Sequence, residues 1–190
     1  MPARPLVTVF GSSQIVADHP EYAFAIEIGR RLAEAGYNVC TGGYDGAMAA
    51  VSRGAKEAGG ATIGVTLEAF RRISANPWVD EEIKTDTLLL RLEHLITNSV
   101  GFIVLPGGIG TLLELALVWN LALTGVTNHK PIVVASDGWR KGLSYLREVT
   151  HVRDLDLDWL IFTRDPAETI ESLQRAIAAG PREYGGGPRG

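Results

Sequence analysis

The sequence predicts an α/β domain built on a doubly wound, mostly parallel sheet with helices on both faces. Three observations carry that expectation. Apolar runs of strand length alternate with helical patterns almost from end to end, as in chains made of strand–helix–strand units. The helical segments between them are of crossover length, which parallel strands require. Three glycine-bearing loops follow strand ends, where such a sheet holds its ligand.

Taken in order, Leu6 to Phe10 is the first strand and runs into Gly11-Ser12-Ser13. Asp18 and Pro20 mark a helix start; Phe24, Ile28 and Leu32 share one face, and Gly36 stops the helix. Tyr37 to Thr41 is the second strand, followed by Gly42-Gly43-Tyr44-Asp45-Gly46 and a small-residue helix over 47–58. Ala61 to Val65 is the third strand. The mixed charge and the Asn76-Pro77 pair of 66–84 read as a loop over the top of the sheet. Helix returns over 85–98, strand over 101–105 and helix over 111–123. A fifth strand over 131–135, a helix over 138–150, a sixth strand over 159–163 and a last helix over 165–179 complete a single domain of residues 1–179. The glycine-rich remainder, 180–190, reads as a disordered tail. With the strand order 3-2-1-4-5-6, the first and fourth strands are neighbours, and all three loops gather round one crevice.

Composition narrows the function. The chain has 190 residues, 46% hydrophobic and 21% charged, as in an ordinary soluble globular protein. A net charge of −4 with no basic stripe argues against a nucleic-acid polymer as partner. The lone Cys40 excludes an internal disulfide and fits a cytoplasmic protein. No stretch reaches the ~20 apolar residues of a membrane span, and the first residues carry no apolar signal region. Two helices are apolar on more than one face: Leu88, Leu89, Leu90, Leu92, Leu95 and Ile96 on one, and Leu112, Leu113, Leu115, Leu117, Val118 and Leu121 on the other. A helix packed only on its own sheet shows a single stripe. The surplus points to a second subunit or to burial beneath the 66–84 segment.

Residues 105–114, Leu-Pro-Gly-Gly-Ile-Gly-Thr-Leu-Leu-Glu, carry the most information. A buried strand stops at Pro106, and Gly107, Gly108 and Gly110 form a turn with no Cβ between backbone and ligand. Bare N–H groups at the following helix start attract phosphate or carboxylate oxygens. Glu114 is the unusual element, a carboxylate one turn into a helix that greets an anion. Two readings of it stand at this point. Thr111 and Glu114 fit a capping box, and a carboxylate beside a sugar also supports glycosidic chemistry by stabilising an oxocarbenium-like transition state.

Other ligands are disfavoured. The first loop lacks G-x-G-x-x-G and the second strand ends in Thr41-Gly42-Gly43 rather than an acid, against NAD or FAD. No P-loop exists. His19, His94, His129 and His151 have no metal spacing with one another or with Cys40. No metal and no cofactor are expected. Lys56, Lys84, Lys130 and Lys141 all sit outside the three loops, against pyridoxal chemistry.

These residues resemble the Lonely Guy family, whose members are often mislabelled lysine decarboxylases. The hallmark P-G-G-x-G-T-x-x-E matches Pro106 to Glu114 at every specified position, Gly11-Ser12-Ser13 matches the first loop, and 41–48 echoes the second. The resemblance implies a Rossmann-like homodimer that hydrolyses the N-glycosidic bond of nucleoside 5′-monophosphates such as AMP or cytokinin ribotides. The amides of Gly107, Gly108, Gly110 and Thr111, with the Thr111 hydroxyl, would hold the phosphate. Gly42, Gly43 and Gly46 would admit the ribose or phosphate from the other side, with Gly11, Ser12 and Ser13 along the floor. Glu114 would be catalytic, and Arg91, matching the arginine of the family's M-x-x-R-K, would orient it or assist departure of the base. An exposed salt bridge of Arg91 with Asp86 or Glu93 is the plainer alternative. The motif's methionine and lysine are Leu88 and Leu92 here, which opens a second reading: a non-catalytic carrier of nucleotides or of molybdenum cofactor.

Overall fold

The computed structural model of the chain describes residues 4–70 and 74–181. Among these, seven strands form one sheet: β1 (Leu6–Phe10), β2 (Asn38–Thr41), β3 (Thr62–Leu67), β4 (Glu81–Thr85), β5 (Ser99–Val104), β6 (Ile132–Val134) and β7 (Leu160–Phe162). Their order is β4-β3-β2-β1-β5-β6-β7, and every neighbouring pair is parallel. The helices are α1 (Pro20–Glu34), α2 (Ala47–Glu57), α3 (Leu88–Thr97), α4 (Ile109–Leu123), α5 (Asp137–Val149), the single-turn α6 (Asp154–Leu157) and α7 (Pro166–Ala179).

Burial on both sheet faces explains the apolar strands. Val7 and Val9 of β1 join a core with α1, α2 and α7, through Ile28, Leu32, Val51 and Leu173. Phe10 joins the opposite core with α3, α4 and α5, through Leu95, Leu115, Val118 and Leu143. Between them, the buried Thr8 hydroxyl donates to Leu95 O at 2.7 Å, so its polarity is satisfied. α1 and α2 pack at close range. A Cβ on Gly29 would collide with the Val51 carbonyl, and one on Gly54 with that of Ile26.

Two expectations change. The 66–84 segment is not simply a loop: β3 runs on to Leu67, and β4 adds a parallel edge strand. Its Glu-Glu-Ile-Lys-Thr sequence is exposed except at Ile83 and Thr85, and charged side chains of that kind guard sheet edges. The segment therefore lies at the sheet's edge. α4 also begins two residues earlier than the Thr111 start, at Ile109, with Gly108 as its cap. Of the expected tail, 182–190 lie outside the described residues.

The order of the other six strands is the one the sequence predicts. β1 and β5 are neighbours although the chain visits three strands between them. The loops after β1, β2 and β5 therefore open at one end of the sheet, at its switch in strand order.

Candidate active site

Ser12 ties the three loops together with its backbone. Its N–H donates to Pro106 O at 3.0 Å, and its carbonyl accepts from Ala47 N at 2.7 Å. Gly46, just before Ala47, has φ +67°, and a Cβ there would strike Ser12 O. The close approach of the first two loops needs glycine at that position.

The loops enclose a cavity of about 560 Å³. Gly11 to Ile15 line one wall with Glu21; Tyr44 and Met48 contribute from below, and Pro106 to Thr111 form the other wall with Glu114 and Arg91. All the expected site residues of the first and third loops are therefore brought together. Gly42, Gly43 and Gly46 are instead buried behind the cavity. A Cβ on Gly42 would collide with Arg91 Nη2.

The third loop presents an open face. A Cβ at Gly108 or Gly110 would meet nothing within 4 Å, whereas one at Gly107 would collide with the Thr111 hydroxyl. Packing does not demand glycine at 108 and 110, and their bare backbone faces the cavity. Gly108 caps α4 without a side-chain hydrogen bond, so first-turn amides lack an intrahelical partner. Thr111, 3% exposed, is the third residue of the helix.

Glu114 is not a cap. It lies a turn further on, 9% exposed, and burial pushes its carboxyl up to about 7 against the opposing pull of Arg91. Arg91 is buried too, which rules out the exposed salt bridge with Asp86 or Glu93. Its Nη1 lies 3.6 Å from Glu114 Oε1. Its Nε donates to Val65 O at 2.9 Å and its Nη2 to Gly42 O at 3.4 Å. The guanidinium also sits 5.5 Å from the centre of the Tyr44 ring, and the Tyr44 hydroxyl accepts from Leu67 N at 2.8 Å. Tyr44 is thus mainly a packing residue beneath Arg91.

Sequence reasoning missed Asn76. Buried at 5% exposure, its Nδ2 donates to Gly43 O at 3.0 Å and Tyr44 O at 2.9 Å, fixing the second loop. Only a loop marker, Asn-Pro, stood at that place in the sequence. Leu92, at the motif's lysine position, lines a separate groove with Leu89, Ile96, Leu117 and Leu121. Its replacement removes no cation from this cavity. Among the described residues, no three His, Cys, Asp or Glu side chains gather to hold a metal, and no helix is long and apolar enough to cross a membrane.

The chain is also similar to known proteins. Residues 4–157 match the SLOG cluster4 family. The chain is 37% identical over 162 residues to the cytokinin riboside 5′-monophosphate phosphoribohydrolase of Mycobacterium tuberculosis, covering 81% of this chain and 83% of that protein. It is 35% identical over 186 residues to the protein of the same name from Mycobacterium marinum, covering 94% of each. Among solved structures, the molybdenum cofactor binding protein of Rippkaea orientalis superposes with a TM-score of 0.72 at 25% identity, covering 93% of this chain and 99% of that one.

Proposed function

The chain belongs to the SLOG cluster4 family, and from that premise we propose that it hydrolyses the N-glycosidic bond of a nucleoside 5′-monophosphate, giving free base and ribose 5-phosphate. Both mycobacterial relatives are named for this reaction on cytokinin ribotides. The observation that carries the reading is the buried Glu114, facing Arg91 at the end of an open-faced glycine turn.

In this reading the amides of Gly107, Gly108, Gly110 and Thr111, with the Thr111 hydroxyl, hold the 5′-phosphate. Ser12 and Ser13 line the floor. Gly42 and Gly46 act from behind, letting Arg91 and Ser12 approach the second loop, and Gly43 lets that loop pack on Gly64 and Thr66. The C1′–N bond breaks with its electron pair leaving on the base, which takes up a proton. Water adds its oxygen to C1′ and gives up a proton. Positive charge grows on the ribosyl ring as the bond breaks, and the ionised Glu114 stabilises it and positions the water. Arg91 holds Glu114 in place.

Incubation with the common nucleoside monophosphates, followed by chromatography, tests the reading. Free base and ribose 5-phosphate are expected. Bound but intact nucleotide would overturn hydrolysis and favour the second reading, a nucleotide or molybdenum-cofactor carrier, to which the likeness to the Rippkaea orientalis protein gives support.

The same reading includes a homodimer. Leu88, Leu89, Leu90, Leu113 and Val126 are exposed on and beside α3 and α4, and Leu89 and Val126 line, with Leu92, a groove of about 410 Å³. The free, buried Cys40 supports placing the protein in a reducing cytoplasm.

A further inference from the structure

The polar groups of the cavity divide by what already engages them. Arg91 is committed to Glu114, Val65 and Gly42. The Ser12 hydroxyl accepts from Gln14 N at 3.0 Å. One charged group is left, the Glu21 carboxylate in the first turn of α1, which lines the same cavity.

Glu21 Oε2 lies 3.9 Å from His19 Nδ1. That nitrogen is engaged by the Glu21 N–H at 3.2 Å. Among the described residues, the Glu21 carboxylate receives no hydrogen bond. An acid with no donor beside it works against an anionic ligand, and a donor on the ligand itself is what offsets that repulsion.

We propose that Glu21 is a specificity-determining residue, accepting a hydrogen bond from the exocyclic amino group of the substrate's base. The proposal rests on the hydrolase reading, which seats the phosphate on the 107–111 turn and C1′ at Glu114. The Glu114 side chain is 11% exposed and that of Glu21 40%. In the proposed pose the reacting sugar lies at the deep Glu114 and the base extends toward the more open Glu21, which lines the same cavity as Gln14 and Ile15. An ionised carboxylate only accepts. It gains a charge-assisted hydrogen bond from a base amine and meets lone-pair repulsion from a base carbonyl.

The test compares AMP with IMP, CMP with UMP, and AMP with its 2′-deoxy form, on the wild type and on Glu21→Gln. Free-base release gives kcat/KM, and calorimetry in a Glu114→Gln background gives Kd. The wild type is expected to favour the amino base in at least one pair by roughly ten-fold or more, and Glu21→Gln to bring that preference within roughly three-fold at unchanged melting temperature. Gln turns its amide to donate to a carbonyl as readily as it accepts from an amine. No amino preference in the wild type, or one that survives Glu21→Gln, overturns the proposal. So does an effect confined to the 2′-deoxy pair, which assigns Glu21 to the sugar. If no nucleotide releases base, the hydrolase reading fails separately, and the binding constants still decide the role of Glu21.

Discussion

Arg91 Nη1 and Glu114 Oε1 stand 3.6 Å apart, longer than the roughly 2.7–2.9 Å of a charge-assisted hydrogen bond. The guanidinium is held back because its Nε and Nη2 donate to the carbonyls of Val65 and Gly42. Desolvation therefore outweighs the attraction, and Glu114 keeps its proton up to about pH 7. A carboxylate drawn fully into a salt bridge would have little charge to offer a growing cation.

Glu114→Gln keeps shape and removes charge. Turnover should fall on the order of 10²–10³-fold, as for other electrostatic catalytic groups, while nucleotide affinity stays within a few-fold. Steady-state kinetics beside calorimetry separates the two. Retained turnover would sink the catalytic role.

Stability and activity should respond to pH in opposite directions. The Glu114 pKa rises from 4.5 to about 7 on folding, so the fold prefers its neutral form. This group's contribution to stability is full below pH 4.5 and is lost as pH rises through about 7, a swing of about 3 kcal/mol. In the proposed mechanism the ionised form stabilises the cation, so kcat/KM should climb to a plateau above that same point. Melting curves across pH for the wild type and Glu114→Gln isolate the stability effect. A rate that declines through pH 7 contradicts the ionised role.

Arg91→Met leaves Glu114, Val65 O and Gly42 O without their partner. Breaking a buried pair on one side costs about 3–5 kcal/mol. Arg91→Lys restores charge but not the fork that reaches all three acceptors. It should recover part of the stability while turnover remains down by at least roughly ten-fold. Denaturant titration and kinetics on both variants decide the point: if charge alone mattered, Arg91→Lys would match the wild type in stability and turnover.

Gly110→Ala should be harmless to the fold and harmful to the ligand. A Cβ there meets open space, and alanine in a helix is favoured over glycine by about 1 kcal/mol. Melting temperature should hold or rise while nucleotide affinity drops. Unchanged affinity would remove the phosphate from this turn.

Leu89→Asp tests the dimer. Leu89 is 78% exposed on the single chain, so a charge there leaves the protomer folded. Light scattering should report a dimer for the wild type and a folded monomer for the variant. A wild-type monomer at micromolar concentration removes the interface.

The strand order around β1 and β5, and the cluster of the first and third loops, were legible because glycine turns and apolar runs are local signals. β4 was not, since an edge strand of Glu and Lys looks like surface loop until a neighbour pairs with it. Glu114 and Arg91 were found through a motif, but their burial was not readable, because it depends on packing between two helices and the carbonyls of β3 and the second loop. Asn76 escaped for a similar reason. Its two acceptors lie 33 and 32 residues away, and no periodicity marks so distant a partnership.

The double anchorage of Ser12 has a mechanical consequence. Its N–H grips the loop after β5 and its carbonyl grips the start of α2, so strain at either place is passed to the other through one residue's main chain. A shift of the loop after β5 cannot proceed without straining the segment that carries Arg91's acceptor at Gly42. Because the linkage is made of backbone, the side chains around the rim are free to diversify without loosening it. Substitutions at the rim can therefore change the lining of the cavity while its frame stays put.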